Sequence, residues 1–285
     1  MTMRVSLVLG SGGARGYAHI GVIDELLARG HKIVAVSGSS IGALIGGAYA
    51  AGKLENFREA CLKLNRLDVF RMMTPTIGKP GIIKTDKIMA FLEDIIGEYQ
   101  IEDLSIPYCA VAADVLARRE VWFRSGSLLA AIRASISIPS VFKPVMLDGR
   151  LLADGGLLNP LPMESSLRPD ADLTVAVSLF GKDSLLSNLQ QRENEAEKRN
   201  AKGKSKKSSS PFDPLPDDLD LLKMTLLSLD LMQERIQASR IAVNPPDIHI
   251  DVPASLGTTF DFAKAEEFIA YGQELAVTAF DRAGI

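Results

Sequence analysis

The chain opens on a short apolar run, Val5–Leu9, that alternates little and ends in glycines, the pattern of a strand buried in a parallel sheet. Ala18–Arg29 carries apolar residues at Ile20, Ile23, Leu26 and Leu27, which is helical spacing, and Gly30 closes it. Ile33–Val36 predicts a second strand and Ile41–Ala51 a second helix, closed by Gly52. This β-loop-α-β-turn-α opening is the signature of an α/β sheet with helices packed on it. Helices follow at Leu54–Asn65 and Lys87–Ile96, strands at Tyr108–Ala113 and Glu120–Phe123, and a helix at Leu128–Ile136 that Pro139 brings to an end. Val145–Leu147 and Leu151–Ala153 flank Asp148-Gly149-Arg150, a hairpin turn signal. Leu173–Ser178 reads as a late core strand, Leu219–Ile241 as a long helix rich in Leu and Met, Ile248–Val252 as a strand and Phe262–Ala283 as the closing helix.

One segment breaks the pattern. From Lys182 to Asp218 the chain is polar, with KRNAKGKSKKSSSPFDPLP near its centre. Low hydrophobicity and clustered charge predict a flexible, solvated insertion at 182–218 within a single α/β domain, 1–285. The sharper alternative is a membrane-surface patch made by Lys198, Arg199, Lys202, Lys204, Lys206 and Lys207.

Composition narrows the classes. The chain has 285 residues, with 32 Lys and Arg against 35 Asp and Glu, a formal charge of −3. That leaves no global basic field of the kind nucleic-acid binding needs. No apolar stretch reaches the roughly 18 to 20 residues of a membrane span, and the first apolar run is too short for a signal sequence. The two cysteines, Cys61 and Cys109, lie in apolar neighbourhoods and read as buried thiols. The expectation is a soluble, cytoplasmic protein.

Two glycine-rich turns carry the candidate chemistry. Leu9-Gly10-Ser11-Gly12-Gly13-Ala14-Arg15-Gly16 lies between the first strand and the first helix. It lacks the third glycine of a dinucleotide-binding loop, because position 15 is Arg15, and it lacks the Lys of a Walker A loop. It does supply closely spaced backbone N–H groups at a helix start, able to bind an anion or a developing oxyanion. Gly38-Ser39-Ser40-Ile41-Gly42 fits the G-x-S-x-G nucleophile elbow in its strand-to-helix setting, although small residues also serve plain helix-on-sheet packing.

A serine needs a base. Of the three histidines, His19 follows the glycine loop, His31 reads as solvent-facing in a turn, and His249 lies inside the alternating strand Asp247–Asp251. The order Ser40, Asp154, His249 would suit an α/β-hydrolase triad, but a histidine within a strand is more often structural. The other base is Asp154 itself, at the end of an apolar strand and followed by Gly155 and Gly156. An apolar pocket would raise its pKa toward the working range of a general base.

Taken together, the loop Ser11–Gly16, the elbow Gly38–Gly42, Asp154-Gly155-Gly156 and the run IRASISIPSVFKPVMLDGRLLADGGLLNPLP, Ile132–Pro162, resemble the patatin-like phospholipase family over roughly the first 180 residues. The resemblance implies a three-layer α/β/α fold with a mostly parallel sheet and a serine lipolytic acyl hydrolase acting on fatty-acyl esters or (lyso)phospholipids. It makes Ser40 the nucleophile and Asp154 its base, with Gly12, Gly13 and Ala14 as the oxyanion hole. Arg15 and Gly16 then support the loop, and Gly38, Gly42, Gly155 and Gly156 support the turns. No metal or cofactor is implied. Ser11 departs from the family, which often has glycine there, and only spacing selects Ser40 over Ser39. The alternatives are an acyltransferase using the same elbow and a non-catalytic lipid-binding module. Met72, Met73, Met89, Leu222, Met224 and Met232 are candidates for an acyl-chain lining, with core packing the commoner role. The helix Leu219–Ile241 is read first as a dimer or core contact, then as a lid or a transient membrane contact.

Overall fold

The computed structural model describes residues 1–72, 85–166, 170–181, 215–216 and 219–285. The expected insertion at 182–218 lies, apart from Leu215 and Pro216, outside the described residues, as does Met73. An eight-stranded sheet runs in the order β5-β6-β3-β2-β1-β7-β8, with β4 also paired to β3. At its centre β1 (Arg4–Leu9) is parallel to β2 (Lys32–Ser39) on one side and to β7 (Leu173–Gly181) on the other. β3 (Tyr108–Asp114) extends the parallel set beyond β2, and β8 (Ile248–Pro253) extends it beyond β7. β4 (Arg119–Phe123), β5 (Val145–Leu147) and β6 (Arg150–Asp154) are antiparallel to their neighbours.

One detail of the pairing positions the site. β2 pairs with β3 up to Ser39↔Val111, and β6 pairs with β3 from Ala112↔Asp154 onward. Because β4 occupies the opposite edge of β3 along Ala110–Asp114, β2 and β6 must share one edge, end to end. The chain leaving β2 and the last residue of β6 therefore meet at the same point on β3.

The helices are α1 (Ala18–Ala28), α2 (Ile41–Ala50), α3 (Leu54–Leu62), α4 (Arg66–Met72), α5 (Thr85–Ile96), α6 (Leu128–Ser135), α7 (Leu221–Val243) and α8 (Ala265–Ala283). The main core joins Leu7, Leu9, Val175 and Val177 of the sheet to Ile23, Ile45, Ile132 and Phe268 of the helices on one face. The opposite face is thinner: Val8 and Ala176 pack with Leu161 and Met163, and Ile241 of α7 closes over them. Helices thus cover both faces of a mostly parallel sheet, as the sequence leads one to expect.

Where expectation and structure differ, local capping explains it. The helix expected over Leu54–Asn65 stops at Leu62, and α4 follows because the Asn65 side-chain oxygen accepts from the amides of Leu67 (2.9 Å) and Asp68 (3.0 Å). α7 begins two residues later than its apolar pattern because Asp220 caps it, accepting from the Lys223 amide at 2.7 Å. A 3-10 turn, Phe262–Lys264, precedes α8.

α1 and α8 cross through paired glycines. A Cβ on Gly21 would lie 2.1 Å from the Ile269 carbonyl oxygen, and one on Gly272 would lie 2.1 Å from that of Ala18. Both obstacles are backbone, so neither can yield cheaply. Gly272→Ala is therefore expected to destabilise the fold by at least about 1–3 kcal/mol, the usual range for overpacking. A urea denaturation midpoint indistinguishable from wild type would contradict this reading.

Candidate active site

Ser40 sits between β2 and α2 in a conformation few L-residues adopt, φ 55° and ψ −123°. Such strain persists only when the surroundings over-determine it, and here they do. A Cβ on Gly38 would fall 2.3 Å from the Gly42 carbonyl, and one on Gly42 would fall 2.1 Å from the Leu9 oxygen. Only glycines let β2, the turn and α2 come that close to one another and to β1. The Ser40 N–H donates to Ser135 Oγ (2.8 Å), and that hydroxyl donates to the Val111 carbonyl (2.6 Å), so β3 and α6 hold the turn from below.

Of the two adjacent hydroxyls, Ser40 Oγ reaches Asp154 Oδ2 at 2.5 Å, across 114 residues of sequence. Ser39 Oγ is buried without a hydrogen-bond partner among the described residues. Asp154 is fixed by two more bonds: its Oδ1 accepts from the Gly156 N–H (2.7 Å), and its own N–H donates to the Ser137 carbonyl (2.9 Å). Gly155 can sit there only without a side chain, since a Cβ would lie 2.1 Å from the Val111 oxygen. Ser40 and Asp154 are 4% and 3% exposed, so solvent barely reaches either. Burial pushes the Asp154 carboxyl up to about 7, while the bonds from Ser40 and Gly156 oppose the rise.

The glycine loop lies against this pair. Gly10 and Ser11 donate to the carbonyls of Val177 (2.9 Å) and Pro160 (2.8 Å), anchoring the loop to β7 and to the segment after Asp154. Gly12 and Gly13 take φ 154° and 61°, and side chains there would strike Leu179 and Thr259. Their amides open the 3-10 turn Gly13–Tyr17, where N–H groups have no partner within the turn. Ala14 departs from expectation: its N–H already donates to the Thr259 carbonyl at 3.0 Å. Gly16 lies on the start of α2, where a Cβ would fall 2.4 Å from Ile41 Cγ1. Ser11 keeps a negative φ, so the family's glycine is not needed, and its hydroxyl donates to Gln233 Oε1 on α7 at 2.5 Å.

Arg15 braces the loop. Its side chain is 3% exposed, Nε donates to the Gly12 carbonyl (3.1 Å), Nη1 donates to Ala254 O (3.3 Å), and Nη2 pairs with Asp230 of α7 (3.3 Å). The guanidinium also stacks over Phe180, 5.2 Å from the ring centre. α7 is thus tied across the site at Asp230 and Gln233, and farther along at Arg240, which donates to Glu164 (2.7 Å), to the Leu158 carbonyl (3.1 Å) and to Glu120.

None of the histidines approaches Ser40 through a hydrogen bond. His19 Nε2 is bonded to the Gly10 carbonyl at 2.9 Å, and burial lowers its pKa to about 4. His31, expected to face solvent, is buried, and its Nδ1 accepts from the Met3 amide at 3.2 Å. His249 pairs with Ser178 Oγ (2.9 Å), which also bonds Asp251. It sits on β8, three strands from β2, roughly 14 Å away at the usual strand spacing.

An apolar cavity of about 120 Å³ opens at Ser40, lined by Tyr17, Leu44, Phe57, Phe91, Phe142 and Phe262 among others. Of the six candidate lining residues, Met72 is there; Met89 packs on the main core, Leu222 lines a groove outside α7, and Met224 and Met232 are half exposed. The aromatics that build the cavity carry no sequence mark separating them from core residues. On the Asp154 side the space is only about 20 Å³, bounded by Gly12, Gly13, Leu226, Leu229, Gln233 and Thr259. That is room for about one water.

The raised carboxyl makes a stability prediction with a definite sign. Between its unfolded value, 3.8, and about 7 the folded chain holds a proton that the unfolded chain has released, so stability falls as pH rises through that window. At about 1.4 kcal/mol per pKa unit the cost at pH 8 is on the order of 4 kcal/mol. Asp154→Asn is expected to gain a stabilisation of that order at pH 8 relative to pH 4, read by urea unfolding at both. A pH-independent difference would contradict the burial argument.

A family model for patatin-like phospholipase matches residues 7–167. Uncharacterized NTE family proteins of Mycobacterium bovis and Mycobacterium tuberculosis are 38% identical over 329 aligned positions, covering 98% of this chain and 91% of theirs. The mouse patatin-like phospholipase domain-containing protein 6 is 31% identical over 190 positions, 63% of this chain and 14% of that protein. A crystal structure of VipD from Legionella pneumophila aligns with 98% of this chain and 67% of its own, at 15% identity and a TM-score of 0.47. The matched span contains the glycine loop, the elbow and Asp154, and the chain belongs to the patatin-like phospholipase family, whose activity is in general lipid acyl hydrolysis.

Proposed function

We propose that the protein hydrolyses fatty-acyl esters, phospholipid or lysophospholipid among them, through a Ser40–Asp154 dyad and an acyl-enzyme. The observation that carries this reading is the 2.5 Å hydrogen bond to a buried carboxylate from Ser40 Oγ, whose residue lines an apolar cavity. The acyl chain lies in that cavity, which brings the ester carbonyl to the strained hydroxyl. Ser40 Oγ attacks the carbonyl carbon as its proton passes to Asp154 Oδ2. The new oxyanion takes hydrogen bonds from the Gly12 and Gly13 amides; Ala14 joins them only if it leaves the Thr259 carbonyl. The intermediate collapses, the C–O bond to the alcohol breaks, and Asp154 returns the proton to the departing oxygen. A water in the small space beside Asp154 then gives its proton to the carboxylate and attacks the acyl carbon. Collapse frees the fatty acid and Ser40 recovers its proton. No step calls on a metal or cofactor.

A carboxylate at about 7 is well matched to this task, because the strength of the base and its ionised fraction are both substantial near neutrality. Buried cysteines such as Cys61 and Cys109 fit a reducing compartment, and the proposed setting is the cytoplasm. Among the described residues no helix is long and apolar enough to cross a membrane.

The test is release of acid from p-nitrophenyl esters and from a lysophospholipid. Ser40→Ala and Asp154→Asn are each expected to lower kcat on the order of 10³-fold or more, with folding intact. His249→Ala is expected to leave kcat within a factor of about three, since its ring contacts neither reacting group. If His249→Ala abolished the reaction in a folded protein, a triad would replace the dyad. Wild-type kcat/KM is expected to rise with pH to a plateau, with its midpoint near the Asp154 value of about 7, because only the ionised base works. A profile flat from pH 5 to 9 would contradict that role. New ester in place of free acid, with an alcohol acceptor present, would mark an acyltransferase.

A further inference from the structure

The space beside Asp154, about 20 Å³, has room for about one water, and a water held there needs two or more polar partners. Most polar groups around it are committed. In the reaction proposed above, Asp154 is the base, Ser40 carries the acyl group, and the Gly12 and Gly13 amides serve the oxyanion. Asp230 is paired with Arg15, and Thr259 turns its methyl and its carbonyl toward Gly13. Ile138, Leu226 and Leu229 offer only apolar surface. The polar group left over is the carboxamide of Gln233, which reaches the space from α7.

Ser11 orients that carboxamide. Its hydroxyl donates to Gln233 Oε1 at 2.5 Å, which occupies the carbonyl end and leaves Nε2 as the donor. Among the described residues Nε2 has no acceptor. A Cβ on Gly156 would lie 2.7 Å from Ser11 Oγ, 2.8 Å from Gln233 Oε1 and 3.0 Å from Asp154 Oδ1. Carboxamide and carboxylate therefore stand over one point of the Asp-Gly-Gly turn, within the span of a single bridging water.

We infer that Gln233, held by Ser11, seats the hydrolytic water and bars larger acceptors, so that this pair selects water over an alcohol in the second half of the reaction. This rests on the acyl-hydrolase reading above. Gln233 Nε2–H donates to the water oxygen and keeps its proton. The water passes one proton to Asp154 Oδ2 as its oxygen bonds to the acyl carbon. The C–O bond to Ser40 then breaks, and Asp154 returns the proton to Ser40 Oγ. Acylation uses no such water and makes no demand on Gln233.

The two half-reactions separate with p-nitrophenyl butyrate, because nitrophenol leaves on acylation and the acid on deacylation. Gln233→Leu nearly keeps the volume and removes the donor. Its nitrophenol burst is expected within about threefold of wild type, while loss of the acyl adduct from the intact mass slows about tenfold or more. Gln233→Ala also opens the space, and with glycerol present its ratio of new ester to free acid is expected to rise about fivefold or more. Ser11→Gly removes only the orienting hydroxyl and is expected to slow deacylation in the same sense. Arg240→Gln cuts another tie of α7, away from the space, and is expected to leave burst, deacylation and product ratio within about twofold. Unchanged deacylation in Gln233→Leu, a burst that falls as far as deacylation does, or the same defect in Arg240→Gln would overturn the assignment. A wild type that releases no acid from any ester would instead sink the hydrolase reading, and the role of Gln233 with it.

Discussion

A carboxylate buried without a cationic partner is the constraint around which the site is organised. Asp154 accepts from a hydroxyl and an amide, and among the described residues no arginine or lysine pairs with it. In water it would be a weak base of ordinary strength; in this setting it holds its proton up to neutrality. The same desolvation that weakens the fold gives the group the base strength that the proposed reaction asks of it. Polar contacts lower the cost only in part, so the rest of the structure must supply the stability. The wide core between the sheet and α1, α2, α6 and α8 does so.

Bringing the serine to that carboxylate is a matter of register. β3 offers one edge to two strands in succession, and the chain turns from one of them at Ser40 just where the other ends at Asp154. A slip of one residue in either pairing would send the side chain to the opposite face of the sheet. The glycines at 38, 42 and 155 fix the approach because backbone atoms fill the places their side chains would need. Arg15 does comparable work on the loop, holding the Gly12 carbonyl with one nitrogen and α7 with another. The glycine loop and α7 therefore share one side chain.

Much of this was legible in the amino-acid order, and what was not has a common cause. The elements follow from local periodicity, so the strands and helices expected among the described residues are present with ends shifted by up to three residues. The elbow, the glycine loop and the Asp-Gly-Gly turn are local motifs, and the fold brings them side by side. Long-range partners are different. Nothing near Ala14 announces that Thr259 will take its amide, and nothing near His31 says that the Met3 amide will cover it. The methionines were a poor guide to the cavity because flexible apolar side chains are as useful on an exposed helix as around a ligand. α7 shows the limit best: its apolar residues fit a core helix, yet of its 23 residues only Gln237 is fully buried. Its place is set by three polar ties to Arg15, Ser11 and the carboxylates that hold Arg240, none of which has a periodicity to detect.

We propose that Asp154, raised to near neutrality by burial, directly activates Ser40. The most direct measurement is the rate of covalent labelling by a fluorophosphonate, followed by intact mass and peptide mapping between pH 5 and 9. The account predicts a single adduct on Ser40, a rate that rises with a midpoint near 7, and loss of that rise in Asp154→Asn. Labelling on Ser39, or a Ser40 rate with the same pH dependence in Asp154→Asn as in wild type, would contradict it.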